Sequence, residues 1–476
     1  MAKRGEGLAV LVNYLPTIAN YGLAAVYVVL LTRLVPLEEY GLYNALVSFA
    51  ALVGLFFPTL GVDNAIAREA AAARARGGDT RPYFSAIAAL ALTLSALNAA
   101  AIALLAPRAV ELPQWMVPIA YLMAAGAVLG ASAGAYGFGL WAQGRVHEQG
   151  VGGIIQSLVF RLGEIALLLA LRNVYAIIGG SLMGAAAQLA YYYWALGNRP
   201  SIRAGARVLA SGLKRFLAFG IQFWGANYIL TSYAALQTYL IYLWLGPAAS
   251  GVYAMASTLL GVVSAFVGAV NNVFGARAAY LYGRGEPLDS LTNAYIRAGA
   301  YVAGGLALAF AAALPLIPLL RIAVGNYLAA LPLAEALAPT VVIGVADGVL
   351  VTRSWVEGRG RVALARAAVG AAVGLTTLAI SLHLTRSIYA AAVGAYAANL
   401  AIFAFYLASR NVDGRPALAV ALALAAALAG TLPRTWWAPP LALAALLGAA
   451  AVAKPIPRGA LEGMPLRWLL ERFSRP

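Results

Sequence analysis

Cysteine is absent from this chain of 476 residues, histidine occurs twice, and Asp, Glu, Lys and Arg together supply only 11% of it. Each scarcity excludes a class of chemistry. Without cysteine there are no disulfides, thiolate metal sites or sulfur nucleophiles. His147 lies in a short polar stretch and His383 near the end of an apolar run, and neither has a partner at ligand spacing. No HExxH, Walker A or GxSxG pattern occurs, and Gly152-Gly153 sits in an apolar run that offers no phosphate loop. No cofactor and no metal are expected.

What abounds instead is apolar sequence, at 63% of the chain. A soluble protein of this length would need far more polar surface to cover its core. The sequence resolves into successive apolar runs, most of them long enough to cross a ~30 Å hydrocarbon core as helices. The fold class expected is an all-α polytopic membrane protein with about fourteen spans. They fall at 9–32, 41–62, 83–106, 115–140, 151–171, 174–196, 216–244, 248–273, 298–320, 331–352, 362–385, 387–409, 417–433 and 435–453.

The formal charge of +16 has no soluble basic domain to carry it, so nucleic acid is not an expected partner. Topology accounts for it better. With a cytoplasmic N-terminus, 26 of the 33 Lys and Arg fall in cytoplasmic segments, Arg366 counted among them, and six fall outside. That bias follows the positive-inside rule and puts both termini in the cytoplasm of a multi-pass cell-membrane protein. The opening "MAKRGEG" leads into a long run holding Asn13, Pro16 and Asn20, so an uncleaved first span is expected rather than a signal peptide. Residues 198–217 place Ile202, Ala206, Leu209, Leu213 and Phe216 at helical spacing among Arg203, Arg207, Lys214 and Arg215. This is the pattern of a basic amphipathic helix on anionic headgroups, and the tail at 454–476 resembles it.

The chain also repeats itself. "YGLYNALVSFAALVG" (40–54) aligns with "SGVYAMASTLLGVVS" (250–264), and "WAQGR" (141–145) with "WVEGR" (355–359) at an offset of 214. At that same offset "NVYAIIGGSLMG" (173–184) meets "SIYAAAVGAYAA" (387–398). Two six-span lobes are expected, 1–200 and 216–410, joined by a connector at 201–215 and followed by two added helices within 411–453. Six is even, so the lobes enter the membrane in the same orientation, which is a transporter architecture with a site at the repeat interface. Glycines at 126, 130 and 134, at 180 and 184, and at 370 and 374 are expected to let helices approach closely. Prolines at 16, 58, 118, 315, 318 and 339 are expected to permit kinks.

The stretch "LLTRLVPLEEYGLYNALVSFAALVGLFFPTLGVDNAIAREAA" (30–71) resembles the start of polysaccharide flippases of the multidrug, oligosaccharidyl-lipid and polysaccharide exporter superfamily. The shared features are Arg33 closing the first span, Tyr40-Gly41 opening the second, Gly61 near its end and Arg68 soon after. "WAQGR" and "WVEGR" resemble the Gly-Arg turns after spans 4 and 10 of such proteins. The likeness extends over about 400 residues, through loose motifs in the same order. It implies a V-shaped pair of lobes opening alternately to each face. It also implies a glycan substrate on a polyprenyl or dolichyl (pyro)phosphate, whose phosphate arginine would grip. A monomer among membrane lipids is expected, with glycan-assembly enzymes as candidate partners.

Arg161 and Glu164 interrupt the run "SLVFRLGEIALLLAL", and their repeat counterparts are Leu375 and Leu378. Packing that both halves need should appear in both. Two readings stand: a cavity arginine for substrate phosphate with Glu164 as its resting counter-ion, or an intrahelical pair buried for assembly. Asp347 and Glu335 lack acidic counterparts too, facing Ala133 and Tyr121. Asp347 could carry a coupling ion, pair with a cavity arginine, or simply be buried. Glu335 could take part in ion coupling or be solvated. Asn13, Thr17, Asn20, Gln222 and Asn227 are sugar-binding candidates or interhelical hydrogen-bond formers, and Arg33 and Arg68 are binding candidates that topology also explains.

A drug/cation antiporter of the same superfamily is the first rival, kept open by Asp347. A membrane glycosyl polymerase or ligase is the second. Such an enzyme needs catalytic groups on a sizeable external loop, and every external loop here is about ten residues or shorter. The chain is therefore expected not to be an enzyme.

Overall fold

The computed structural model describes residues 22–57, 59–197, 200–409, 414–431 and 437–453, together with 456–457 and 474–475. Asn13, Thr17, Asn20, Pro16 and Pro58 lie outside these residues, as does most of the tail. The described chain is helical, apart from a two-residue parallel pairing of Ile456–Pro457 with Ser474–Arg475.

The helices run in order as α1 (Gly22–Leu34), α2 (Leu37–Gly54), α3 (Val62–Ala75), α4 (Arg81–Ala109), α5 (Val117–Ala142), α6 (Val146–Leu171) and α7 (Tyr175–Leu196). Next come α8 (Ile202–Leu245), α9 (Pro247–Gly283), α10 (Asp289–Ala313), the single turn α11 (Leu316–Leu319) and α12 (Ala330–Leu337). The last are α13 (Thr340–Val356), α14 (Gly360–Thr385), α15 (Ala390–Ala408), α16 (Gly414–Thr431) and α17 (Ala438–Ala453).

A helix lies at each of the fourteen expected spans, the first described only from Gly22. Among the described residues, eight are long and apolar enough to cross a membrane, or nine if a bent pair counts as one span. The others are short or diluted: α2 opens with Glu38-Glu39, and tyrosines and polar residues punctuate α7 and α8.

Two departures from expectation and one expected kink have plain physical causes. The amphipathic stretch at 202–215 does not stop before the next span; it continues into it as one helix of 44 residues, because nothing between Ile202 and Leu245 breaks the backbone pattern. The tenth expected span is two helices, α12 and α13, bent by 55° at Pro339, whose ring cannot donate to the preceding turn. Pro118, by contrast, sits at the start of α5, where its missing N–H costs nothing and no kink follows.

Packing divides the chain into two units, Met1–Tyr242 with Ile322–Gly325, and Leu243–Arg321 with Asn326–Pro476. In the first, α6 lies along α7 and α5 packs on both α4 and α7. Most of α8 belongs here, since Tyr239 and Tyr242 donate to the Ala109 and Val110 carbonyls at the end of α4 (2.9 and 2.6 Å). The packing units and the sequence repeats thus divide the chain at different points. In the second unit α14 lies along α15, and a core of Phe274, Ile296, Ala300, Val342, Val345 and Val349 joins α9, α10 and α13. The two added helices, α16 and α17, both pack on α10.

Local geometry recurs at the offset of 214. Both α6 and α14 are 26 residues long, and their starts and ends are displaced by that offset. Gly144 and Gly358 adopt φ of 73° and 71°, the left-handed conformation that a side chain resists. In each turn the following arginine donates its N–H back across the helix end, Arg145 to Leu140 (2.9 Å) and Arg359 to Ser354 (2.7 Å). Arg172 and Arg386 close α6 and α14 with φ of 53° and 48°. The "WAQGR" and "WVEGR" motifs therefore encode the same helix-stop, helix-start turn.

Candidate functional site

Arg161 and Glu164 are one turn apart on α6, so their side chains meet on one face. The guanidinium Nη1 donates to Glu164 Oε2 at 2.7 Å. Arg161 stands ten residues before the end of α6, or about 15 Å at 1.5 Å per residue, which is mid-core for a ~30 Å bilayer interior. The two ends of the pair differ. Glu164 is 1% exposed, whereas 21% of the Arg161 side chain remains accessible.

The surroundings explain that asymmetry. Glu164 is pressed against α7 at Gly180, where a Cβ would come within 2.5 Å of Glu164 Cγ. Gly180 is the position that lets the carboxylate lie between the two helices. Arg161 turns the other way, toward aromatic rings: its Cζ stands 5.1 Å from the Tyr27 ring centroid on α1 and 4.8 Å from that of Phe160. Ring faces attract a guanidinium without neutralising it. The result is a cation held through one terminal nitrogen by a buried carboxylate, flanked by aromatics, and still partly accessible. Such a group can accept a bidentate phosphate or carboxylate.

Asp347 also has a partner, and it is Arg366 on α14, whose Nη1 donates to both carboxylate oxygens. Counted among the cytoplasmic cations by its place near the start of its span, Arg366 has a side chain that is 2% exposed and points into the second unit. The sequence signal for this pairing was available, since Arg366 is the seventh residue of an apolar helix and Asp347 needed a cation. Around the pair, Arg366 Nε, Tyr406 Oη and Asn271 Oδ1 are buried without hydrogen-bond partners.

The other described candidates stand on other helices. Arg33 is exposed in the last turn of α1, where a cation complements the helix dipole. Asn227 is exposed on α8, and Glu335 is half-buried on α12, across the 55° bend from Asp347. Arg68 lies in α3 and Gln222 in α8, with side chains outside the described residues.

One feature escaped the sequence reading. A cavity of about 430 Å³ opens in the first unit, lined by Thr59, Asp63, Ser95, Asn98, Ala131 and Gly134 among others. The glycine ladder of α5 was expected to be a close helix contact. Instead a Cβ on Gly130 or Gly134 would meet nothing within 4 Å, and only Gly126 touches a neighbour, Leu182 at 3.4 Å. The ladder makes room rather than contact. By comparison Gly180, Gly184 and Gly370 do sit against neighbouring side chains or backbone, as expected.

A family model described as polysaccharide biosynthesis protein matches residues 9–274, more than half of the chain. The chain belongs to that family. A search of curated proteins finds no match. Among solved structures, the family member is similar to the lipid II flippase MurJ in an inward closed conformation, with a TM-score of 0.63 at 10% identity over 93% of this chain and 99% of that one. It is similar as well to an inward-facing multidrug resistance MATE family transporter of the MOP superfamily, with a TM-score of 0.60 at 16% identity over 84% and 94% of the two chains. A MATE transporter from Vibrio cholerae gives 0.56 at 15% identity over 84% and 94%. At such identities the likeness is one of fold: this polysaccharide biosynthesis family member has the helical architecture of the MOP-superfamily transporters.

Proposed function

We propose that this chain is a flippase that moves a lipid-linked oligosaccharide or polysaccharide precursor from the cytoplasmic to the external leaflet by alternating access. The observation that carries the reading is the accessible guanidinium of Arg161, anchored by the buried Glu164 within a protein of the polysaccharide biosynthesis family. A polyprenyl or dolichyl carrier holds phosphate or pyrophosphate, and a mid-membrane arginine is the side chain suited to draw that group off the headgroup layer. Glu164 serves as the counter-ion while no substrate is bound. Arg33 and Arg68, with Asn13, Asn20, Gln222 and Asn227, are proposed contacts along the path, and both termini are proposed to face the cytoplasm of the cell membrane. The working unit is proposed to be the monomer, served by glycan-assembly enzymes on that side.

Drug/cation antiport would call for an open carboxylate. Asp347 is held by Arg366, which disfavours that role for it.

The test is mass spectrometry of lipids that copurify with the gently extracted protein, wild type beside Arg161→Gln. The proposal expects a phosphate-linked polyprenyl glycan with wild type and at least a tenfold depletion in the variant, in line with loss of a charge-assisted bidentate contact. Equal amounts in both would make Arg161 structural. Absence of any such lipid from wild type under several extraction conditions would refute the substrate and bring antiport forward.

A further inference from the structure

The cavity of the first unit has a filled counterpart in the second. Ala127, Ala131 and Ala135 line it from α5 at four-residue spacing. At the offset of 214, α13 carries Val341, Val345 and Val349, all buried. Val345 packs so closely on α10 that a Cβ on Gly299 would come within 2.5 Å of it. Gly348 is likewise covered by the Asn271 side chain, whereas a Cβ on its counterpart Gly134 would meet nothing within 4 Å. The shared scaffold can therefore close this space, and the first unit keeps it open through small residues.

The polar lining belongs to the first unit as well. Asn98 on α4 has its Oδ1 buried without a hydrogen-bond partner, and buried polar atoms are rarely left unpaired. Asp63 on α3 accepts from the Thr59 hydroxyl through Oδ1 at 3.1 Å, which leaves the rest of the carboxylate for other donors. By contrast α10, which packs on α13 as α4 packs on α5, has no polar side chain between Val302 and Ala313. Phe57 and Phe138 add ring surface to the cavity, and its volume of about 430 Å³ falls in the ~300–1,000 Å³ range of small-molecule pockets. A carboxylate, an amide and phenyl rings around one cavity match a molecule with hydroxyl edges and C–H faces. A sugar ring has both.

The cavity also lies within a substrate's reach of the Arg161–Glu164 pair, because α2 borders the two. Tyr43 on α2 is within electrostatic reach of Glu164. Gly54, eleven residues or ~16 Å further along the helix, lies against Asn98. A short oligosaccharide covers such a span. We propose that this cavity holds a sugar ring of the lipid-linked glycan, with Asp63 and Asn98 hydrogen-bonded to its hydroxyls and a phenylalanine ring against its C–H face. This rests on the flippase reading, and gives that transporter a glycan-selecting site separate from the phosphate contact at Arg161.

Native mass spectrometry of the full chain in neutral detergent tests this. The protein is mixed with the polyprenyl lipids of the cells that make it, spiked with undecaprenyl phosphate as a carrier without sugar, and each bound form is counted. Wild type is expected to hold both forms, and Arg161→Gln to lose both. Asp63→Asn/Asn98→Leu is expected to lose the glycan-bearing form at least about tenfold while keeping undecaprenyl phosphate, since only the sugar loses its polar contacts. Should that variant not survive purification, Ala131→Val, which brings in the valine of the second unit, is expected to lose the glycan-bearing form at least about threefold by filling the cavity. Glycan-bearing lipid held equally by wild type and the cavity variants, with Arg161→Gln still losing it, would overturn the sugar site and leave the flippase reading standing. Loss of both forms together in the cavity variants would also overturn it, assigning the effect to the phosphate contact or the fold. Neither form on wild type would refute the flippase reading and the sugar site with it.

Discussion

The helix pair α6–α7 in the first unit and the pair α14–α15 in the second are built to one plan and filled differently. Gly180 presses on Glu164 in the first; 214 residues on, Gly394 presses on Leu378. Arg161, half-buried one turn before Glu164, corresponds to Leu375, which is also half-buried. The scaffold therefore holds together with leucines at both positions, and the first unit places a charged pair where packing alone does not demand one.

The reverse exchange occurs elsewhere. Arg366 of the second unit stands where the first has Gly152, and Asp347 where it has Ala133. In the first unit the Tyr192 ring covers Gly152, and its hydroxyl donates to the Gln149 carbonyl at 2.7 Å. In the second, the corresponding Tyr406 hydroxyl is buried without a partner beside the ion pair. Each unit thus carries a charged pair at positions where its counterpart has uncharged residues. The first exposes its arginine and buries its carboxylate, whereas the second buries its arginine and leaves a fifth of its carboxylate accessible; only an accessible arginine can exchange its resting counter-ion for the proposed substrate phosphate.

The largest stability effect should come from breaking the Asp347–Arg366 pair. Arg366→Leu leaves the half-buried Asp347 uncompensated, and is expected to cost up to about 3–5 kcal/mol in unfolding measured in detergent. The double change Asp347→Ala/Arg366→Gly copies the first unit, lets Tyr406 settle as Tyr192 does, and should recover all but about 1 kcal/mol, the cost of a helical glycine. If the double change is as damaging as the single one, the correspondence between the units is wrong at this point. Next in size, Gly180→Ala and Gly394→Ala should each destabilise by about 1–3 kcal/mol through overpacking. Gly130→Ala, with open space around it, should stabilise by up to about 1 kcal/mol. Smallest is Ala131→Val, which brings the first unit to the state of the second, where Val345 occupies the corresponding position; a change within about 1 kcal/mol is expected from thermal unfolding, since the cavity has room. A loss larger than that of Gly180→Ala would mean that the cavity is closed in solution.

Much of the scaffold was legible because its causes are local. Apolar runs mark the helices, and the Gly-Arg turns mark where α5 and α13 stop and α6 and α14 begin. What escaped depends on which surface a residue meets. The glycines at 126, 130 and 134 have the spacing of a helix contact, yet no sequence pattern says whether a neighbour fills the space they leave. Arg366 reads as a topology-setting arginine until α13 brings Asp347 against it. Arg161 and Glu164 were found because three residues apart on one helix is itself a contact; how far each is buried depends on Gly180 and Tyr27, which sequence spacing does not connect to them.

The most direct test of the central claim is translocation of a fluorescent polyprenyl-pyrophosphate glycan in proteoliposomes by Arg161→Leu/Glu164→Leu, which gives α6 the leucines of α14. We predict that this variant unfolds within about 1 kcal/mol of wild type, because Leu375 and Leu378 already pack in that setting, and that translocation falls at least tenfold. Translocation at the wild-type rate by the stably folded variant would contradict the account and reduce the pair to a structural ornament of the first unit.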